Sequence, residues 1–114
     1  MTTLKDIDSR MVANNLVAYK PTHPGEVLKD EIEFRGISQR KLAGKIGVSY
    51  SQFNEILNAK RPLTTEIALL VEAALDIEAA PLLKMQTDYN LEVSKSNASF
   101  LKKLQEVRKV SAIL

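Results

Sequence analysis

The stretch SQRKLAGKIGVSYSQFNEILNAKR, Ser38 to Arg61, decides the fold. Ser38 is suited to cap a helix whose inward positions are Leu42, Ala43 and Ile46, the apolar stripe of a half-buried helix. Gly47 supplies a turn and Val48 an apolar plug within it. Ser49 and Gln52 form S-x-x-Q, a capping-box signature, so a second helix is predicted to begin at Tyr50. Two short helices joined by a tight turn make the helix-turn-helix plan, whose second helix enters the major groove of DNA.

A helical wheel of the second helix sorts its residues. Phe53, Ile56 and Leu57 cluster on one side and face the core. Opposite them lie Ser51, Glu55 and Asn58, flanked by Gln52 and Asn54, with Tyr50 in the first turn near the core edge. An ordinary solvated face would be rich in Lys and Glu. Amides and hydroxyls instead offer the directional donors and acceptors that base edges require, as when Asn or Gln bonds adenine at N6 and N7.

Charge falls in blocks. Residues 38–61 carry Arg40, Lys41, Lys45, Lys60 and Arg61 against Glu55 alone, net +4. Residues 1–37 carry five cations against six acids, net −1, and residues 62–93 carry Lys84 against six acids, net −5. Residues 94–114 carry five cations against Glu106, net +4, so the chain totals only +2. The local excess over the helix-turn-helix, with Arg40 and Lys45 among its cations, marks a phosphate-facing surface. Cations supply affinity there and the uncharged groups specificity.

A chain of 114 residues has room for one core and no second substrate domain. With 45% hydrophobic residues, 5% aromatics and four glycines, the composition favours a helical globule over a β-sandwich. Without cysteine there is neither a disulfide framework nor a thiolate metal site. The first 20 residues are charged and lack an apolar core, unlike a secretory signal, and no run approaches the roughly 18 apolar residues of a membrane span. A cytoplasmic protein with no membrane association is expected.

Residues 1–22 read as a short helix or a mobile segment, 23–93 as the helix-turn-helix domain, and 94–114 as a C-terminal helical extension that could serve dimerisation. Pro24 suits a first helical position and Glu26 the positive helix end. That helix is expected to bury Val27, Leu28, Ile32 and Phe34, and to stop at Gly36. Beyond the central motif, Thr64 caps a helix apolar almost all round at Ile67, Ala68, Leu70, Val71, Ala74 and Leu75, as a central core helix would be. Pro81 sits in the first turn of the next helix, which carries Leu82, Leu83, Met85 and Tyr89. Ser94 to Ser99 is a candidate hinge, followed by a helix with Phe100, Leu101, Leu104, Val107 and Ile113 on one side. The expected fold is all-α, with five to six helices. Its core is expected at Leu28, Ile32, Leu42, Ile46, Val48, Phe53, Ile56, Leu70 and Val71.

The segment HPGEVLKDEIEFRGISQRKLAGKIGVSYSQFNEILNAKRPLTTEIALLVEAALDI, followed by MQTDYNLEV, resembles the repressor-like helix-turn-helix group and, more specifically, the HigA-type antitoxins of toxin–antitoxin modules. The likeness runs from about His23 to Val93. The H-P-G-E opening, N-E-I-L-N-x-K-R and Q-x-D-Y-x-L-E are specific in combination. The resemblance implies that Gln39 bonds a phosphate and braces the recognition helix. It also implies that Tyr50, Ser51, Gln52, Asn54 and Glu55 face base edges, while Asn58, Lys60 and Arg61 hold the DNA backbone. It further implies an autorepressor that binds an operator and a small mRNA-cleaving toxin. Four departures stand out: Ala59 and Asp76 replace customary glycines, Gln52 stands where relatives often carry arginine, and Ala79-Ala80-Pro81 departs from the usual proline and aromatic pattern.

His23, the lone histidine, has no second histidine or cysteine to partner it, so it reads as a structural residue. Asp30, Glu31 and Glu33 read as a solvated face, and Asp88 with Glu92 as surface or partner-facing charge. With no phosphate loop, G-x-S-x-G or H-E-x-x-H, the reading includes no catalytic residue, metal or cofactor. A stand-alone regulator without a toxin and an interaction module of the same fold remain as alternatives. Specific recognition by one short helix calls for a homodimer on an inverted repeat. The seam of Phe100, Leu101, Leu104 and Val107 either forms that dimer or packs within its own chain. Two acidic regions could hold a basic toxin: the 62–93 block, and, favoured, the N-terminal segment with Asp6, Asp8 and the acid-rich first helix.

Overall fold

The computed structural model describes residues 21–114, which form six helices and no strand. They are α1 (Pro24–Phe34), α2 (Gln39–Ile46), α3 (Tyr50–Leu57), α4 (Thr65–Leu75), α5 (Ala79–Lys95) and α6 (Ala98–Ser111). The short helix or mobile segment expected over residues 1–20, with Asp6 and Asp8, lies outside the described residues.

Helix starts follow local chemistry. The Ser38 hydroxyl accepts from the Lys41 N–H at 3.2 Å, Ser49 from Gln52 at 3.1 Å, and Thr64 from Ile67 at 3.3 Å. Asn97 caps α6 by accepting from Phe100 at 3.0 Å. Each such cap contributes about 1 kcal/mol.

The ends of the first three helices share one device, a left-handed residue flanked by a pair of closing bonds. Gly36 (φ 69°) ends α1 and Gly47 (φ 77°) ends α2, and the next residues, Ile37 and Val48, donate back to Ile32 and Ala43. Those next residues are apolar and pack against the core. At α3 the left-handed residue is Ala59 (φ 62°), and Lys60 donates to the Glu55 carbonyl at 2.8 Å. A left-handed alanine costs about 1–2 kcal/mol, so the closing bonds hold this end against strain. The residue that would fold back onto the core is here a lysine, and it stays exposed. Asp76 (φ 59°) likewise keeps the left-handed form at the end of α4.

The core gathers Leu28, Ile32, Leu42, Ala43, Ile46, Phe53, Ile56, Leu57, Leu63, Ile67, Ala68, Val71, Leu75, Ala79 and Leu82. Four expectations need correction. Val27 and Phe34 are 41% and 87% exposed, because the inward stripe of α1 runs through Pro24, Gly25, Leu28 and Ile32. Val48 is only half-buried, at the rim of its turn. Leu70, with Ala74, is exposed: α4 turns Ile67, Ala68, Val71 and Leu75 inward and leaves its other apolar face uncovered. The proposed hinge shrinks to Ser96 and Asn97, between two regular helices.

Long-range polar bonds join the helices. The Arg35 guanidinium donates to the Leu75 carbonyl at 2.9 Å, tying the ends of α1 and α4 together. Buried Gln86 on α5 accepts from the Leu63 N–H at 2.8 Å, satisfying the backbone between α3 and α4. Gly25 lies directly against α3. A Cβ there would stand 1.9 Å from the Ile56 carbonyl oxygen, so only glycine permits this approach.

Candidate nucleic-acid interface

Helix α3 packs against α1 and α2 while one face stays open. Phe53, Ile56 and Leu57 are fully buried, which fixes the rotation of the helix about its axis. Tyr50 and Ser51 are exposed, and Gln52, Asn54 and Glu55 are partly exposed along the opposite side. The five residues expected to meet base edges are therefore all at least partly accessible.

Second contacts order that surface. Asn54 Nδ2 donates to Gln39 Oε1 at 3.2 Å, linking α2 to α3. This is the bracing role expected of Gln39. It leaves Asn54 with its amide oxygen and a second N–H, the pair needed for adenine. The Arg40 guanidinium lies 4.1 Å above the Tyr50 ring centroid, which holds both at the start of α3. Arg40, Lys45 and Lys60 are exposed and join none of the ion pairs among the described residues.

Arg61 and Asn58 are more constrained than their sequence suggests. Glu55 Oε1 accepts from Arg61 Nε at 2.9 Å and from Nη2 at 2.7 Å. Glu55 thus orients a cation and has one carboxylate oxygen left for a base. Asn58 Oδ1 accepts from Lys29 Nζ at 2.9 Å, while its Nδ2 donates to the Asn54 carbonyl at 2.9 Å. Lys29 is the participant that the sequence did not reveal; its partner lies 29 residues away, beyond any local pattern.

His23 anchors this end of the interface. Its Nδ1 accepts from the Gly25 N–H at 2.9 Å, capping α1, and its ring meets Tyr89 edge-on with centroids 4.9 Å apart. With Nδ1 accepting, the ring's proton sits on Nε2. Desolvation lowers its pKa from 6.5, against the opposing pull of Glu26 and of the Arg61 carbonyl. The neutral ring is the form that fits, because Nδ1 must accept from the Gly25 N–H. His23 is structural, as the sequence implied: it caps α1 where Gly25 meets the backbone of α3.

Among the described residues no group of three His, Cys, Asp or Glu side chains could hold a metal, and no helix is long and apolar enough to cross a membrane. The groove between α1 and the end of α3 is open and lined by Glu26, Lys29, Asp30, Glu33, Leu57 and Asn58.

Residues 28–82 match the helix-turn-helix family. Virulence-associated protein I of Dichelobacter nodosus is 36% identical over 76 residues, spanning 66% of this chain and 70% of that protein. The Pseudomonas aeruginosa antitoxin HigA, solved with the higBA promoter, superposes with a TM-score of 0.65 at 28% identity, over 76% of this chain and 94% of that one. A P. aeruginosa structure with 18 bp of operator DNA gives 0.62 at 30% identity, over 68% of this chain and 86% of that one.

Proposed function

The chain belongs to the XRE-type helix-turn-helix family, and from that premise we propose that it is a sequence-specific autorepressor and the antitoxin of an mRNA-cleaving toxin. The observation that carries the DNA-binding half is the open face of α3. It presents amides and hydroxyls, is braced from α2 by Gln39, and is rimmed by Arg40, Lys45 and Lys60. Gln52 and Asn54 read base edges, with Tyr50 and Ser51 beside them. Glu55 sets Arg61, and Gln39, Asn58, Lys60 and Arg61 hold phosphates.

The protein acts in the cytoplasm as a homodimer on an inverted repeat, with half-sites about one helical turn, roughly 34–36 Å, apart. Likeness to HigA supports the antitoxin half. A toxin that cuts RNA attracts phosphates and is therefore basic, so an acidic surface suits it. The side of α1 with Glu26, Asp30 and Glu33 exposed is such a surface, and it borders the groove at the end of α3.

Two measurements test this reading. Footprinting on the DNA upstream of its own coding region should show a two-fold symmetric protected site. Co-expression with the product of an adjacent small reading frame should relieve that product's toxicity. Absence of any toxin at the locus reduces the reading to a stand-alone repressor, and absence of a footprint removes the repressor as well.

A further inference from the structure

Two helices have apolar faces that stay exposed among the described residues. On α4, Leu69 and Leu70 are 52% and 39% exposed, and Ala73 and Ala74 lie beside them on the side away from the core. A helix apolar all round belongs inside a structure, yet half of this one faces outward. On α6 no residue is buried, and Phe100, Leu104 and Val107 follow the 4–3 spacing of a packing seam. Phe100 and Val107 on that seam are 43% and 54% exposed.

We propose that the two faces cover each other between copies: α6 of one chain lies on the outer face of α4 in its partner, and two-fold symmetry repeats the contact. The inference rests on the homodimer proposed above and specifies how that dimer is built.

Charge decides between this pairing and the simpler one of α6 with itself. Lys103 and Arg108 border the α6 seam, and its segment carries five cations against Glu106 alone. Pairing α6 with α6 brings those cations together, and pairing α4 with α4 opposes Glu66 to Glu66. Laying α6 on α4 sets Lys103 and Arg108 against Glu66, which sits on the exposed α4 face, and Glu72, which borders it. The blocks of −5 and +4 then meet each other rather than themselves.

Dimensions agree, since helices of 11 and 14 residues are about 16 and 21 Å long. A contact between unlike elements, repeated by a two-fold axis, also closes the dimer without open ends that could grow into a filament.

The chain has no cysteine, so single cysteines report unambiguously. Leu70→Cys in one preparation and Val107→Cys in another, distinguishable by a mass tag, replace exposed residues and leave the core intact. Mixed, exchanged and oxidised, they should yield the mixed 70–107 dimer in preference to either like pair. A dominant 107–107 product overturns the inference in favour of α6 self-pairing and leaves the dimer standing. Sedimentation as a dimer with no cross-link rejects this arrangement alone, while sedimentation as a monomer rejects the dimer reading with it. As an independent arm, Glu66→Lys with Glu72→Lys should raise the dimer dissociation constant about tenfold, and Lys103→Glu with Arg108→Glu should recover it. An unchanged constant contradicts the pairing.

Discussion

Replacing Gly25 by alanine tests the packing of the recognition helix at its tightest point. By helix propensity alone the change should help, because alanine restricts the unfolded chain and favours helix by about 0.5–1 kcal/mol. Sterics oppose it: the new Cβ would stand 1.9 Å from the Ile56 carbonyl oxygen, 2.8 Å from its carbon and 3.0 Å from His23 Nδ1. Two of these are backbone atoms, so no side chain can rotate away, and α1 must move about 1 Å or more from α3. Overpacking of this kind costs about 1–3 kcal/mol, occasionally more, and it outweighs the propensity gain. Each kcal/mol lowers Tm by about 4–8 °C in a small domain. Gly44 is the control. It lies within α2 with nothing inside 4 Å of its would-be Cβ, so Gly44→Ala should stabilise by about 0.5–1 kcal/mol. Urea unfolding of both variants, with unchanged m-values, reads out the two effects. A Gly25→Ala protein as stable as the parent, or a Gly44→Ala protein that loses stability, refutes the reasoning.

Phe53→Ala should cost about 3–5 kcal/mol by opening a cavity at a fully buried site, measured by thermal melting. Because the His23 pKa is lowered in the fold, the unfolded chain takes up the proton first. Its contribution is complete above the unfolded value of 6.5 and is lost as pH falls from there through the lowered folded value. Stability measured across that window should lose this part of its pH slope in His23→Asn. Gln52→Ala should weaken operator binding by about 1–3 kcal/mol and barely affect random DNA. Lys60→Ala should weaken both and reduce the salt slope by about one unit, seen by fluorescence anisotropy titrations.

What could be read from the sequence was local. Ser38, Ser49 and Thr64 were identifiable as caps because a cap bonds a backbone group three residues away. Gly36 and Gly47 marked turns for the same reason, and the wheel of α3 separated Phe53, Ile56 and Leu57 from the open face. The failures have a physical cause too. Phe34 and Leu70 are apolar and helical, but whether such a side chain is covered depends on what packs opposite, which periodicity does not encode. The links Lys29–Asn58, Gln86–Leu63 and Arg35–Leu75 span 29, 23 and 40 residues and arise only once the helices are assembled. The Glu55–Arg61 pair spans six residues, across the left-handed Ala59, and could not be chosen over a base contact without the shape of that turn.

The central claim is that the open face of α3 reads DNA sequence. Selection of bound duplexes from a randomised pool by the full chain, repeated with Gln52→Ala, tests it most directly. The parent should enrich an inverted repeat with half-sites about one helical turn apart. Gln52→Ala should relax the preference at one base pair of each half-site and leave the spacing unchanged. Enrichment of no motif by the parent, or an identical motif from Gln52→Ala, would contradict it.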